Sequence, residues 1–237
     1  MKTHEVLIEP GARSGEISTT INGERRAFEL GTEKVSARLL AEPNDRLLDL
    51  LEIAGGVFAA DGAIRRGPDQ RPEMGARWRR SFLIHAHVRQ PEFWRRPEVS
   101  DALGDLVDVM SEDTAEFEFA RAESPPPFQR YVPLEESDGS GPVEDVIMFS
   151  GGLDSLAGAI ETLETREGRV ALVTHFSSQK RMPMQRELAG RLISRYGARV
   201  LPVPLTARRK GGRRFPETTQ RTRTLLFTDG RCRDDIP

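Results

Sequence analysis

Residues 146–155 read Val-Ile-Met-Phe-Ser-Gly-Gly-Leu-Asp-Ser, and no other stretch restricts the fold as strongly. Four apolar residues, Val146 to Phe149, run straight into a serine and two glycines. Leu156, Ala159, Ile160 and Leu163 follow at helical spacing. The pattern predicts a buried strand, a tight glycine turn and the start of a helix. Gly151 and Gly152 remove side chains where backbone must come close to a ligand. The free N–H groups of the first helical turn then face an anion, with the helix dipole behind them. Ser150 and Ser155 offer hydroxyl donors as well. Asp154 is the odd member, because a carboxylate beside a phosphate is repelled unless a divalent cation lies between them. Asp154 is therefore the expected Mg²⁺ ligand.

The rest of the chain supplies the context that this turn needs. Strands are predicted over 143–149, 170–176 and 199–205, with helices over 154–165 and near 183–196. Alternating strands and helices imply a parallel sheet covered on both faces, with a ligand at the carboxyl ends of the strands. Ser150 stands at such an end. Upstream, residues 1–122 read as a small α+β unit. Val6 and Ile8 alternate, Asn22-Gly23 marks a hairpin, and Pro43-Asn44-Asp45 opens a helix carrying Leu47, Leu48, Leu51, Ala54 and Phe58. Residues 61–78 read as a loop. Phe82, Ile84, Ala86 and Val88 alternate as a strand, and Val99 to Met110 form a helix face. Phe117 and Phe119 suggest a further short strand. Residues 123–142, rich in Ser, Pro and Gly, read as a linker or long loop.

Composition narrows the class. The 237 residues are 30% charged and 37% apolar, enough for one large domain or two small ones. No apolar stretch nears the about 20 residues that span a bilayer. Met1-Lys2-Thr3-His4-Glu5 lacks the apolar core of a signal peptide. The single cysteine, Cys232, excludes an internal disulfide and a multi-cysteine zinc site within this chain. The expectation is a cytoplasmic protein with no membrane partner. The net charge of −2 hides an asymmetry: residues 1–165 hold 18 Lys/Arg against 31 Asp/Glu, and residues 166–237 hold 17 against 6. The basic part follows the glycine turn, as a triphosphate or nucleic-acid site would want. A solvated arginine face accounts for it as well.

Ser-Gly-Gly-Leu-Asp-Ser is not a Walker loop, which ends in Gly-Lys-Ser/Thr. It resembles the PP-loop of the ATP pyrophosphatases, which grip the pyrophosphate of ATP and release AMP. Further on, His175-Phe176-Ser177-Ser178-Gln179-Lys180 and Gln185-Arg186-Glu187-Leu188 resemble the segment after the second strand in the 7-cyano-7-deazaguanine synthases, the QueC family. Gln179 matches the family's glutamine and Lys180 its arginine, while Ser178 replaces a glycine. Arg221-Thr222-Arg223-Thr224-Leu225-Leu226-Phe227 is similar to the family's Pro-Gly-Arg-Asn segment, with Arg223 on the arginine. Val88-Arg89-Gln90-Pro91-Glu92-Phe93-Trp94, the unit around it and Thr218-Thr219-Gln220-Arg221 resemble the QueC-like proteins of bacterial antiphage systems, the QatC type.

The resemblance implies an adenine nucleotide alpha hydrolase-like PP-loop domain over 143–227, incomplete, with a non-family tail at 228–237. It implies ATP and Mg²⁺ as cofactors and adenylation of a carboxylate with pyrophosphate release. Phe149, Ser150, Gly151, Gly152, Leu153, Asp154, Ser155 and Gln179 would bind the nucleotide. Lys180 and Arg223 would join Asp154 in catalysis as phosphate or carboxylate contacts. The family's zinc-binding cysteine cluster is absent, so no Zn²⁺ site is expected here. The abrupt polar turn after Phe227 leads us to expect a truncated or frameshifted chain, and so an inactive fragment as one outcome.

Three functions stay open. The leading one is a QatC-type enzyme of antiphage defence with protein partners from that system. The second is a 7-cyano-7-deazaguanine synthase, with a 7-deazaguanine carboxylate as substrate, or another PP-loop ligase or tRNA-modifying enzyme. The third is a non-catalytic ATP-binding interaction subunit. Other residues draw blander readings. His85 and His87 share a strand face but lack further metal ligands, so a structural role is expected. Trp78 and Trp94 lie beside arginines, where packing and cation–π contact are favoured over base stacking. Cys232 reads as an incidental thiol.

Overall fold

Asn22 and Gly23 take left-handed φ angles of 49° and 82°. They fold strand β2 (Glu16–Ile21) back on β3 (Glu24–Leu30), with Ile21 opposite Glu24. This is the turn that the Asn-Gly pair predicts. Strand β1 (Thr3–Pro10) runs antiparallel to β2 and parallel to β4 (Ser81–Val88), which is parallel to β5 (Thr114–Arg121). With the short strand β9 (Ala207–Arg209) the sheet order is β5-β4-β1-β2-β3-β9. The computed structural model describes residues 3–13, 16–30, 44–67, 78–126, 143–175, 182–205, 207–209, 216–217 and 221–225.

Helix α1 (Asp45–Ala63) starts where the sequence signals it. The Asn44 side chain accepts the Leu47 N–H at 2.8 Å, satisfying one free donor of the first turn. Its apolar residues Ile53, Ala54, Val57 and Phe58 are buried, as are Val6, Ile8, Ile84 and Ala86 on alternate positions of the strands. A short helix α2 (Pro91–Trp94) and then α3 (Pro97–Ser111) connect β4 to β5, with Leu103 and Val107 buried. Residues 61–63, expected in a loop, instead complete α1, and Asp61 is buried there.

Two groups of buried charges lie within this unit. Arg66 and Arg80 face Asp61 and Asp113, all four nearly inaccessible. Arg66 grips Asp113 with both terminal nitrogens, at 2.9 and 2.6 Å. Arg80 donates to Asp113 Oδ2 at 2.7 Å and also meets Asp61. The second group centres on Asp49, which accepts from the backbone N–H groups of Arg89 and Gln90 and from Trp94 Nε1. Arg89 also pairs with Glu52 at 2.7 Å. Each buried charge is paired and hydrogen-bonded, the condition under which such groups are tolerated.

The expected β/α alternation is present after the linker region. Strands β6 (Val143–Met148), β7 (Arg169–His175) and β8 (Val200–Leu205) form a parallel sheet in that order. Helices α4 (Leu153–Thr165) and α5 (Met182–Tyr196) connect them. The sheet order advances one strand at a time, so right-handed crossovers place both helices on the same face. They pack on each other over Phe149, Leu163, Val170, Leu172, Leu192 and Val200. The expectation of helices on both faces is corrected accordingly for the described residues.

The chain divides into two compact units. One takes in the described residues of Met1–Glu29, Asn44–Pro127 and Arg208–Pro237; the other takes in those of Leu30–Pro43 and Phe128–Ala207. The boundary between the two units falls near residue 207. Within the first unit a 3-10 turn, Arg221–Thr224, packs on α1 and α3. Thr222 donates to Asp61, and Glu217 accepts the Arg66 N–H at 2.8 Å. The linker from residue 127 to 142 and the tail 228–237 lie outside the described residues. Among the described residues no helix is long and apolar enough to cross a membrane.

Candidate functional site

The loop between β6 and α4 has the geometry that its sequence requires. Phe149 donates its backbone N–H to the Val173 carbonyl at 2.8 Å, which holds the chain to the sheet up to the turn. Its ring is buried in the core below the loop, so Phe149 supports the site and its side chain is not placed to touch a ligand. Gly151 has φ +78°, a conformation that side-chain-bearing residues rarely adopt. Gly152 occupies the N-cap of α4 with extended backbone and no capping side chain. The first helical hydrogen bond, Leu156 N–H to the Gly152 carbonyl, is 3.0 Å long. Ahead of it, the first-turn N–H groups of Leu153, Asp154 and Ser155 have no partner in the helix ladder.

The two hydroxyls close a small ring. Gly152 N–H donates to Ser150 Oγ at 3.3 Å, and Ser155 Oγ donates to the Gly152 carbonyl at 3.0 Å. Ser155 has one hydroxyl hydrogen, already given to Gly152, so Ser150 is the donor across the 3.1 Å gap between the two oxygens. In this arrangement the serines shape the loop, and the donors left for an anion are backbone N–H groups. Ser150, Gly152, Leu153 and Asp154 are exposed. The Leu153 side chain is 81% accessible, unusual for leucine.

Sequence reasoning missed one residue here. Gln185 of α5 is buried, and its Nε2 donates to the Ser150 carbonyl at 2.9 Å. Its Cγ lies 3.0 Å from where a Cβ on Gly151 would stand, and Met184 Cε lies at 3.4 Å. The signal was available: Gln185, Ala189 and Leu192 share one buried stripe of α5, and a polar residue on such a stripe calls for a partner.

The other predicted site residues divide differently. Gln179 and Lys180 lie outside the described residues. Arg223 belongs to the 3-10 turn of the first unit, whereas the loop belongs to the second. Among the described residues no group of three or more His, Cys, Asp or Glu side chains is arranged to hold a metal. A Mg²⁺ ion bound through phosphates, waters and one carboxylate needs no such cage, so the exposed Asp154 fits that role. His85 pairs with Glu118 at 3.0 Å and His87 with Glu9 at 3.5 Å. Trp94 is tied to Asp49, and Trp78 lies under the guanidinium groups of Arg66 and Arg221.

No protein-family model matches this chain, and no curated protein or solved structure matches it either.

Proposed function

We propose that residues 150–155 bind the phosphates of ATP, with Asp154 holding Mg²⁺, in a QueC-like protein of the QatC type that activates a carboxylate by adenylation and releases pyrophosphate. The observation that supports this best is the loop itself. A parallel strand ends in a left-handed glycine, and an uncapped glycine opens a helix whose first N–H groups are exposed to an anion. Such a loop stabilises charge that builds on a leaving pyrophosphate, and Mg²⁺ supplies the neutralisation when bound. The substrate class is a carboxylate such as a 7-deazaguanine derivative. Partners would come from an antiphage defence system, and the basic C-terminal part leaves nucleic acid as a weaker candidate. The synthase and other PP-loop ligases are the nearest alternatives.

An alternative from a different class is a subunit that binds ATP without turning it over. Titration of the full chain with Mg·ATP, followed by a pyrophosphate-release assay with 7-carboxy-7-deazaguanine, separates the readings. Asp154→Ala is expected to weaken Mg·ATP binding about tenfold or more. Absence of Mg·ATP binding by the unaltered chain would sink both readings; binding without pyrophosphate release favours the subunit.

A further inference from the structure

The Gln185 side chain is 4% exposed, and its two polar ends differ. Nε2 donates to the Ser150 carbonyl, whereas Oε1 is buried without a hydrogen-bond partner among the described residues. The carbonyl accepts only, so the amide must present its NH₂ end there, and the oxygen is left over. An unpaired buried oxygen is destabilising, and a methionine of similar length would fill the space without one. Packing alone therefore does not call for glutamine at this position.

The hydrogen bond does something that packing cannot. A trans peptide directs its C=O and N–H to opposite sides. The Ser150–Gly151 peptide turns its carbonyl to Gln185, so the Gly151 N–H is directed away from α5. The same side chain closes the space behind Gly151, whose φ of +78° gives the loop its sharp turn. One residue thus fixes both the peptide plane and the glycine conformation ahead of the N-terminus of α4.

We propose that Gln185 is the positioning residue of this loop, holding the Ser150–Gly151 peptide so that the backbone donors are aimed before the anion arrives. The proposal rests on the phosphate-binding reading above. Preorganised donors bind more tightly than donors that must be ordered on binding. The effect of losing Gln185 therefore falls on affinity more than on stability, because removal of the unpaired oxygen offsets the loss of the donor to the Ser150 carbonyl.

The test measures Kd for Mg·ATP and for Mg-pyrophosphate, with melting temperature, in the full chain and two variants. Gln185→Met is expected to bind both probes about tenfold more weakly, with a melting temperature close to that of the unaltered chain. Gln185→Glu loses the donor while its carboxylate is ionised. Its affinity, relative to the unaltered chain at each pH, is expected to recover as pH falls and a carboxyl O–H can donate to Ser150. If the unaltered chain binds and Gln185→Met binds equally well, the positioning role is refuted and the phosphate reading stands. If the unaltered chain binds neither probe, the phosphate reading fails and takes this role with it. Should Gln185→Met not fold, a pH-independent affinity ratio for Gln185→Glu would overturn the proposal.

Discussion

Asp61 Oδ2 accepts both the backbone N–H and the hydroxyl of Thr222, at 3.1 and 2.9 Å, across 161 positions of sequence. Its other oxygen, Oδ1, meets Arg66 and Arg80. Residues 216–217 and 221–225 are thereby built into the first unit. Thr222→Val removes one hydrogen bond and should cost about 1 kcal/mol of unfolding free energy. Asp61→Ala leaves two buried guanidinium groups short of a carboxylate and should cost about 3–5 kcal/mol. Urea unfolding of the full chain checks both, and equal losses would contradict this account.

The same carboxylate makes stability acid-sensitive. Burial pushes the Asp61 carboxyl up, but the Arg80 charge and hydrogen bond, the Thr222 N–H and Arg66 together hold it below its ordinary 3.8. A depressed folded value means that the unfolded chain takes the proton first. The stabilisation is complete above the ordinary value and disappears as pH falls through the folded one. Glu52 acts in the opposite sense: burial raises its carboxyl above 4.5 despite Arg89, so its contribution declines as pH rises through that raised value. Asp61→Asn should flatten the acid limb of a stability–pH curve measured from about pH 2 to about pH 6. An unchanged limb would show that other carboxylates govern it.

Gly151 and Gly152 are adjacent but unequal. A Cβ at Gly151 meets Gln185 Cγ at 3.0 Å in a left-handed backbone, whereas one at Gly152 meets only Ser150 Oγ at 3.4 Å. Gly151→Ala should cost about 1–2 kcal/mol and Gly152→Ala well under 1 kcal/mol. On the phosphate reading both should still weaken Mg·ATP binding, since a methyl at Gly152 stands on the exposed side of the turn. Thermal melts and ATP titration in parallel separate the backbone effect from the ligand effect.

Asp49 supports the stretch Arg89 to Trp94 by accepting two backbone N–H groups and the Trp94 indole. Asp49→Ala strands those three donors and leaves Arg89 with Glu52 as its remaining carboxylate, and should cost about 3–5 kcal/mol. Trp94→Phe keeps an aromatic ring in the pocket and gives up one hydrogen bond plus packing, so about 1–3 kcal/mol is expected. Chemical denaturation of the two variants gives the order; a milder loss for Asp49→Ala would refute the bridging role.

Much of the local structure was legible because it depends on neighbours in sequence. Asn22-Gly23 turns a hairpin, Asn44 caps α1, and the β6–loop–α4 pattern places Gly151 at its left-handed turn. What escaped was partnership over distance. Asp61 fell at the start of a stretch whose Arg, Gly and Pro content reads as a loop, and its helical place makes sense only with Arg66, Arg80 and Thr222 beside it. The spacing of Gln185 with Ala189 and Leu192 signals a buried polar group, but its partner is a main-chain carbonyl that no side-chain pattern names.

The sequence by itself determined the strand–glycine–helix loop and the alternation of elements around it. Periodicity, caps and turn residues act within a few positions, and no distant contact is needed to read them. Only the tertiary structure decided that the segment holding Arg223 belongs to the first unit, that α4 and α5 share one face, and that Gln185 holds the loop. Those outcomes depend on which buried charges and carbonyls find partners across the fold. Desolvation sets that requirement, and no local pattern states where it will be met.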